Sequence, residues 1–179
     1  MPPIDLDRAT ALLREFVRER RQPLSVLLIG GLALHHYGLS DRVTADLDAE
    51  VRGDIEALLG FLRARGLPAD LGENISAWSV VAMPPGYRER SSAILTEPLL
   101  ELRVLSPADF VIAKLRRFTE EDIRDALFVA RKFNLVPAEI RRLADTAIVA
   151  SLKDTALFAF RTNLQLFLDR LAEFRGHHT

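Results

Sequence analysis

The 179-residue chain has no cysteine, which excludes disulfides and thiolate metal sites. It has no apolar run of about 18 residues, so no membrane span is expected. Its net charge is only −1, so it lacks the broad basic field of a general nucleic-acid binder, although a local basic patch is compatible with that balance. Internal repeats and low-complexity tracts are absent. The opening Met1-Pro2-Pro3-Ile4-Asp5 carries an acid and no apolar segment, so no signal peptide and a cytoplasmic location are expected. What is present is a chain 49% hydrophobic, enough for a sizeable core in a single domain or in a small domain of two halves.

Apolar residues at Leu6, Ala9, Leu12, Leu13, Phe16 and Val17 recur at helical spacing and predict a helix over 4–20. Leu24 to Ile29 reads as a buried strand, broken by Gly30-Gly31, with a short helix from Leu32 to Tyr37 ended by Gly38. Arg42 to Arg52 alternates throughout, with Val43, Ala45, Leu47, Ala49 and Val51 on one face and polar residues on the other, and predicts one long strand. Asp54 to Arg65 is an amphipathic helix. Strands are expected at Trp78–Met83, Arg90–Thr96 and Leu99–Leu105, with a turn at Pro84-Pro85-Gly86. Helices follow from Ser106-Pro107, Thr119 and Pro137 and over 152–175, the first two opened by capping residues. The expected fold is α+β, a small mixed sheet with flanking helices over 1–105 and a helical domain over 106–179 packed on it.

The chemistry is concentrated around the second strand. Two glycines at a strand end let backbone approach a ligand closely, with N–H groups suited to phosphate. Asp46 and Asp48, two apart on a strand, would project from one face together with Thr44 and Arg42. Carboxylates so placed suit Mg²⁺, which takes one or two of them plus substrate phosphates. A Gly-Gly pair is also an ordinary turn, and a polar strand face is ordinarily solvated; the order of all these residues together carries the reading.

Gly30-Gly31-Leu32-Ala33 followed by Arg42-x-Thr44-x-Asp46-x-Asp48 resembles the glycine-rich and paired-aspartate motif of the DNA polymerase β-like nucleotidyltransferase superfamily, and within it the AbiEii-like group, some members of which are toxins of bacterial toxin–antitoxin systems. Pro84 to Arg90, Leu102 to Asp109, and Lys114 followed by Glu121 to Asp125 resemble segments of an uncharacterised bacterial family in that group; the resemblance covers roughly residues 25–135. It implies a minimal nucleotidyltransferase fold followed by a helical bundle. It also implies an NTP whose triphosphate meets Gly30 and Gly31, and Mg²⁺ on Asp46 and Asp48. The implied reaction moves a nucleoside monophosphate to an acceptor hydroxyl, on a tRNA or other RNA, a protein or a small molecule. An antitoxin is a further implied partner; a homodimer is a separate expectation, from the apolar surplus of the last helix. The alternative is a catalytically degenerate relative that binds nucleotide or a partner protein.

The superfamily's third carboxylate is expected on the strand after helix 54–65, yet Ala77-Trp78-Ser79-Val80-Val81 has no acid, which leaves Glu101 on the later strand as the substitute. Lys114 falls inside the apolar arc of Phe110, Val111, Leu115 and Phe118, where a lysine needs an acid partner. Asp122 and Asp125 are that partner's candidates, pointing into the cleft between the two halves, and the resemblance gives such a lysine and aspartate a place in the active site. Asp122 is equally the capping-box acid of Thr119. Arg88, Arg90, Arg103, Arg116 and Arg117 are candidates for a basic rim, Trp78 and Tyr87 for base stacking. The apolar residues of the last helix exceed one face, which predicts deep burial or a protein contact.

Overall fold

The computed structural model describes residues 4–176, with side chains as far as Glu173, so the terminal His177-His178 lies outside the described residues. The chain divides into two compact units, one of Met1–Ile75 with Ser91–Leu105, the other of Ser76–Arg90 with Ser106–Thr179.

The first unit is built on a five-stranded mixed sheet. Its strands are β1 (Leu24–Leu28), β2 (Leu47–Arg52), β3 (Ala69–Gly72), β4 (Ser92–Thr96) and β5 (Leu100–Val104), in the order β3-β2-β1-β5-β4. β1 runs antiparallel to β2 and parallel to β5. Leu24, Val26, Leu28, Leu47, Ala49, Val51, Leu100, Leu102 and Val104 share one face in register and are nearly inaccessible, so this face is the core. Helix α1 (Leu6–Arg20), capped by the Asp5 side chain on Arg8 N–H, packs against β5 and against α3 (Ile55–Ala64). Phe16 and Phe61 meet edge to face at 5.3 Å, and Arg65 ties the two helices by pairing with Glu15 and Glu19. The opposite face carries Ser25, Leu27, Asp48, Glu50, Glu101 and Arg103, and stays largely polar. Helix α2 (Gly31–His36) follows β1.

Two strand expectations need correction. β2 starts at Leu47, not Arg42; residues 42–46 are irregular, and their alternation runs opposite to expectation. Val43 is 70% exposed whereas Thr44 is buried. A polar residue turns inward there because its hydroxyl packs against Gly31, so hydrophobicity does not set the facing. The segment Trp78–Met83 is not a strand. A 3₁₀ turn occupies Ile75–Trp78, and the rest is irregular chain in the second unit. The strand after α3 is instead β3, parallel to β2.

The second unit contains α4 (Tyr87–Arg90), α5 (Pro107–Leu115), α6 (Glu120–Lys132), α7 (Pro137–Ala150) and α8 (Ala156–Gly176). Helix α5 touches α6, α7 and α8, with Phe110 fully buried. In α8, Leu157, Phe160, Leu164, Phe167, Leu168 and Leu171 are buried, whereas Phe158 is exposed. Segment 76–90 is fastened to these helices. Arg116 donates to the Val81 and Ser76 carbonyls at 2.7 and 3.0 Å, and the Ser151 hydroxyl accepts from Ala82 N–H at 2.8 Å. Arg90 forks onto the buried Asp109 at 2.9 and 2.8 Å. Three of the five arginines expected to form a basic rim therefore do internal work: Arg90, Arg116 and, on the sheet, Arg103, which holds Ser91 and Glu101. Burial pushes the Arg116 guanidinium down to about 10. The α+β class read from the sequence is the class observed. No helix among the described residues is long and apolar enough to cross a membrane.

Candidate active site

β1 ends at Leu28, and the ladder continues one step further, where Ile29 N–H donates to the Asp48 carbonyl at 3.2 Å. This brings the Asp48 side chain over Gly30. A Cβ placed on Gly30 would lie 1.9 Å from Asp48 Oδ2, and one on Gly31 would lie 1.5 Å from Thr44 Oγ1. No real Cβ tolerates such distances, so each glycine is the space that the side chain of a partner occupies. The Gly-Gly pair at the start of α2 and the Thr-x-Asp-x-Asp run, separated in the chain by the rest of that helix and the loop after it, are halves of one packing arrangement.

Asp46 sits on a bend just before β2, half-buried, outside the strand pleat that carries Asp48. Arg42 is half-buried in the same irregular stretch, and its carbonyl oxygen lies 2.6 Å from His35 Nε2. His35 thus closes the loop between α2 and the acidic run.

Glu101 is not brought to this cluster. It shares the polar sheet face, but it pairs in register with Ser25, whereas Asp48 stands opposite Ile29, further along β1. At ~3.3 Å per residue and ~4.8 Å per strand the two lie roughly 16 Å apart. The Glu101 carboxylate instead accepts from Arg103 at 2.9 Å and from Ser25 at 3.3 Å.

The acid that does lie beside Asp48 is Asp70. In β3 it is the direct Cα partner of Asp48, on the same face of a parallel pair about 4.8 Å away. Sequence reasoning missed it because Ala69–Gly72 is four residues long, framed by Gly66-Leu67-Pro68 and ending in glycine, with too little alternation to register as a strand. The detectable signal was the acid between Ala69 and Leu71. One register step further, Glu50 is buried and accepts from Ile75 N–H at 3.0 Å, holding the chain that leaves β3. Among the described residues no three His, Asp or Glu side chains are gathered closely enough to form a metal cage.

The second cluster lies in the helical unit. Lys114 Nζ meets Asp122 Oδ1 at 3.2 Å and Asp125 Oδ2 at 2.9 Å, with side-chain exposures of 12%, 3% and 5%. Both pairings expected as alternatives form together. Asp122 also closes the capping box, accepting from Thr119 N–H at 3.2 Å and Thr119 Oγ1 at 2.7 Å. Burial acts to raise the Asp122 pKa, but the Thr119 hydroxyl, Lys114 and Arg117 together hold it below the usual carboxylate range.

A family model described as "Nucleotidyltransferase of unknown function (DUF6036)" matches residues 5–155. No curated protein matches, and no solved structure does. The match runs through the glycine pair, the acidic run, β3 and the Lys114 cluster, and the chain belongs to this family of nucleotidyltransferases.

Proposed function

We propose that the chain transfers a nucleoside monophosphate from an NTP to an acceptor hydroxyl, at a site made by Gly30, Gly31, Thr44, Asp46 and Asp48 with Asp70 beside them. The observation that carries this reading is the fit of the Asp48 and Thr44 side chains into the space left by Gly30 and Gly31. It holds an oxygen ligand and a hydroxyl at the end of β1.

In the reaction the acceptor oxygen bonds to the α-phosphorus, the bond to the pyrophosphate oxygen breaks, and the hydroxyl proton leaves to a base. Asp46 and Asp48 offer hard oxygen donors of the kind Mg²⁺ takes, one or two carboxylates completed by substrate phosphates, so a preformed cage is not required. The ion would neutralise charge on the transferring group. Asp70 is our candidate for the base or a further metal contact. The finer resemblance to AbiEii-like toxins favours an RNA acceptor such as a tRNA and an antitoxin as protein partner; the exposed Phe158 of α8 is where a second copy would contact. Lys114, Asp122 and Asp125 belong to the same reading through that resemblance.

The lack of a three-carboxylate cluster among the described residues favours a second reading, a degenerate protein that binds nucleotide without turnover. One assay separates them. Purified protein is incubated with Mg²⁺, each α-³²P-labelled NTP and total bacterial RNA, beside an Asp46→Ala, Asp48→Ala double variant. Label on RNA or protein that vanishes in the variant supports transfer. No label with any NTP, from folded protein that still binds nucleotide, supports the degenerate reading.

A further inference from the structure

The stretch that carries Thr44 and Asp46 belongs to no ladder. Among the described residues the backbones of Thr44, Ala45 and Asp46 make no hydrogen bond to another protein group. A segment without bonds of its own is placed by what clamps it. At its far end Leu47 N–H donates to the Pro68 carbonyl at 2.9 Å, where β2 begins. At its near end Arg42 N–H meets the Leu39 carbonyl at 3.3 Å, a turn within the same loop. The Arg42 carbonyl lies closer, 2.6 Å, to His35 Nε2. A carbonyl only accepts, so Nε2 carries the proton and donates. This bond ties the near end to a regular element.

Gly31 and His35 stand one turn apart on α2, about 6 Å at ~1.5 Å per residue. Arg42 and Thr44 are two residues apart, roughly 7 Å at ~3.3 Å per extended residue. Thr44 fills the space over Gly31, and Arg42 meets His35. Residues 42–44 therefore run back along α2, antiparallel to it, clipped at two points whose spacings match. The Thr44 clip is steric and stops only inward motion. The His35 clip is directional, so it stops the segment from lifting or sliding.

We propose that His35 is a positioning residue of the site: its Nε2–H, through the Arg42 carbonyl, sets where Thr44 and Asp46 stand. The consequence for catalysis rests on the transferase reading above; the hold itself does not. The neighbouring His36 is exposed and points about 100° away around the helix, so it takes no part.

The hold is tested by trypsin cleavage of the native chain after Arg42, followed by mass spectrometry. Val43 is 70% exposed, so this bond lies at the surface and its cutting reports how often the segment leaves its clips. Cleavage after Arg131, inside α6, is the reference for global opening. Wild type is compared with two donor-free variants, His35→Leu and His35→Phe. It is also compared with His35→Gln, whose amide nitrogen is the same number of bonds from Cα, and with His36→Gln as control. Loss of one hydrogen bond should speed the cut after Arg42 about three- to tenfold relative to that after Arg131, with both glutamine variants near wild type. Unchanged rates in the donor-free variants, equal acceleration of both cuts, or His35→Gln cut as fast as His35→Leu would each overturn the proposal. The consequence is read by titrating Mg²⁺ in the label-transfer assay. The donor-free variants should need about tenfold more Mg²⁺ for half-maximal transfer, with turnover at saturating Mg²⁺ little changed. A partly unfolded variant would instead lose turnover at an unchanged midpoint. A variant cut faster after Arg42 whose Mg²⁺ midpoint stays at the wild-type value would confine His35 to structure and overturn the positioning role. Faster cutting in a protein whose wild type transfers no label sinks the transferase reading and leaves the hold standing.

Discussion

The two polar clusters of this chain are built on opposite principles. On the sheet, Asp48 and Thr44 find their places because Gly30 and Gly31 have no side chains; the scaffold is empty space, and Asp48 stays half-buried, within reach of a ligand. In the helical unit, Lys114, Asp122 and Asp125 find their places because opposite charges meet at 2.9 and 3.2 Å almost out of water. The first arrangement fails when something is added, the second when something is removed. A cluster defined by steric room keeps its carboxylate and hydroxyl at the end of β1, where the proposed phosphate would sit. A cluster defined by mutual neutralisation spends its charges on itself, and its first role is to hold α5 to α6.

The largest effect should therefore come from removing Lys114. Lys114→Ala takes the shared cation from two buried carboxylates, leaving Asp122 with only the exposed Arg117 at 3.6 Å, and should cost about 3–5 kcal/mol, read as a lower urea midpoint. Its pH dependence identifies the cause. The Asp122 pKa is depressed in the folded protein, so its contribution is complete above the ordinary value of 3.8 and is lost as pH falls through the lower folded value. Without Lys114 the raising effect of burial gains weight and the folded pKa moves back toward or past the unfolded value, so the loss of stability on acidification should shrink or reverse. Lys114→Met, with the same acid-limb behaviour as wild type, would break the charge half of the comparison.

Next is the glycine. Gly30→Ala drives a methyl into Asp48 and should cost about 1–3 kcal/mol, a melting-point drop of roughly 2–4 °C for each. It should also abolish nucleotide transfer, because relief requires Asp48 to move. Gly60→Ala is the control. Gly60 lies in α3 with nothing within 4 Å of an added Cβ, so alanine there should stabilise by about 0.5–1 kcal/mol. If both substitutions behave alike, steric room is not what Gly30 supplies.

A smaller loss, about 1 kcal/mol by thermal melting, is expected of Thr119→Ala, which removes the cap from α6. It should also relax the hold on Asp122 by taking away the hydroxyl that lowers its pKa, so the loss of stability on acidification should again shrink. No change in the acid limb would mean the hydroxyl contributes nothing there.

These contrasts follow how legible each region was in sequence. The helices were legible because caps and periodicity are local; Ser106, Thr119 and Asp54 each accept from the residue three ahead. Lys114 stood out because a lysine among Phe110, Val111 and Leu115 has one chemical remedy. Residues 42–46 misled because their alternation is strand-like, while the fact that decides their path is a contact with Gly31, at the far end of α2 in the chain. β3 was hidden because an edge strand of four residues draws its identity from the neighbour it pairs with, and register is a property of two segments. Missing β3 meant missing Asp70, which sent the search for a third acid to Glu101.

The finest test lies between those two acids. The pairing of Glu101 with Arg103 is half-exposed and therefore worth little, so Glu101→Gln should change stability by no more than about 1 kcal/mol. Asp70 is exposed at a sheet edge, and Asp70→Asn should stay within about 0.5 kcal/mol. The two substitutions should thus be nearly indistinguishable by melting. In the label-transfer assay they should separate, Asp70→Asn falling about 10–100-fold as expected for a group that touches or orients a metal contact, Glu101→Gln keeping wild-type turnover. The reverse pattern would mean that the polar face is crossed by substrate from end to end and that register is a poor guide to this site. If neither substitution alters transfer, Asp46 and Asp48 suffice, which is the minimal carboxylate set a phosphate-bound Mg²⁺ requires.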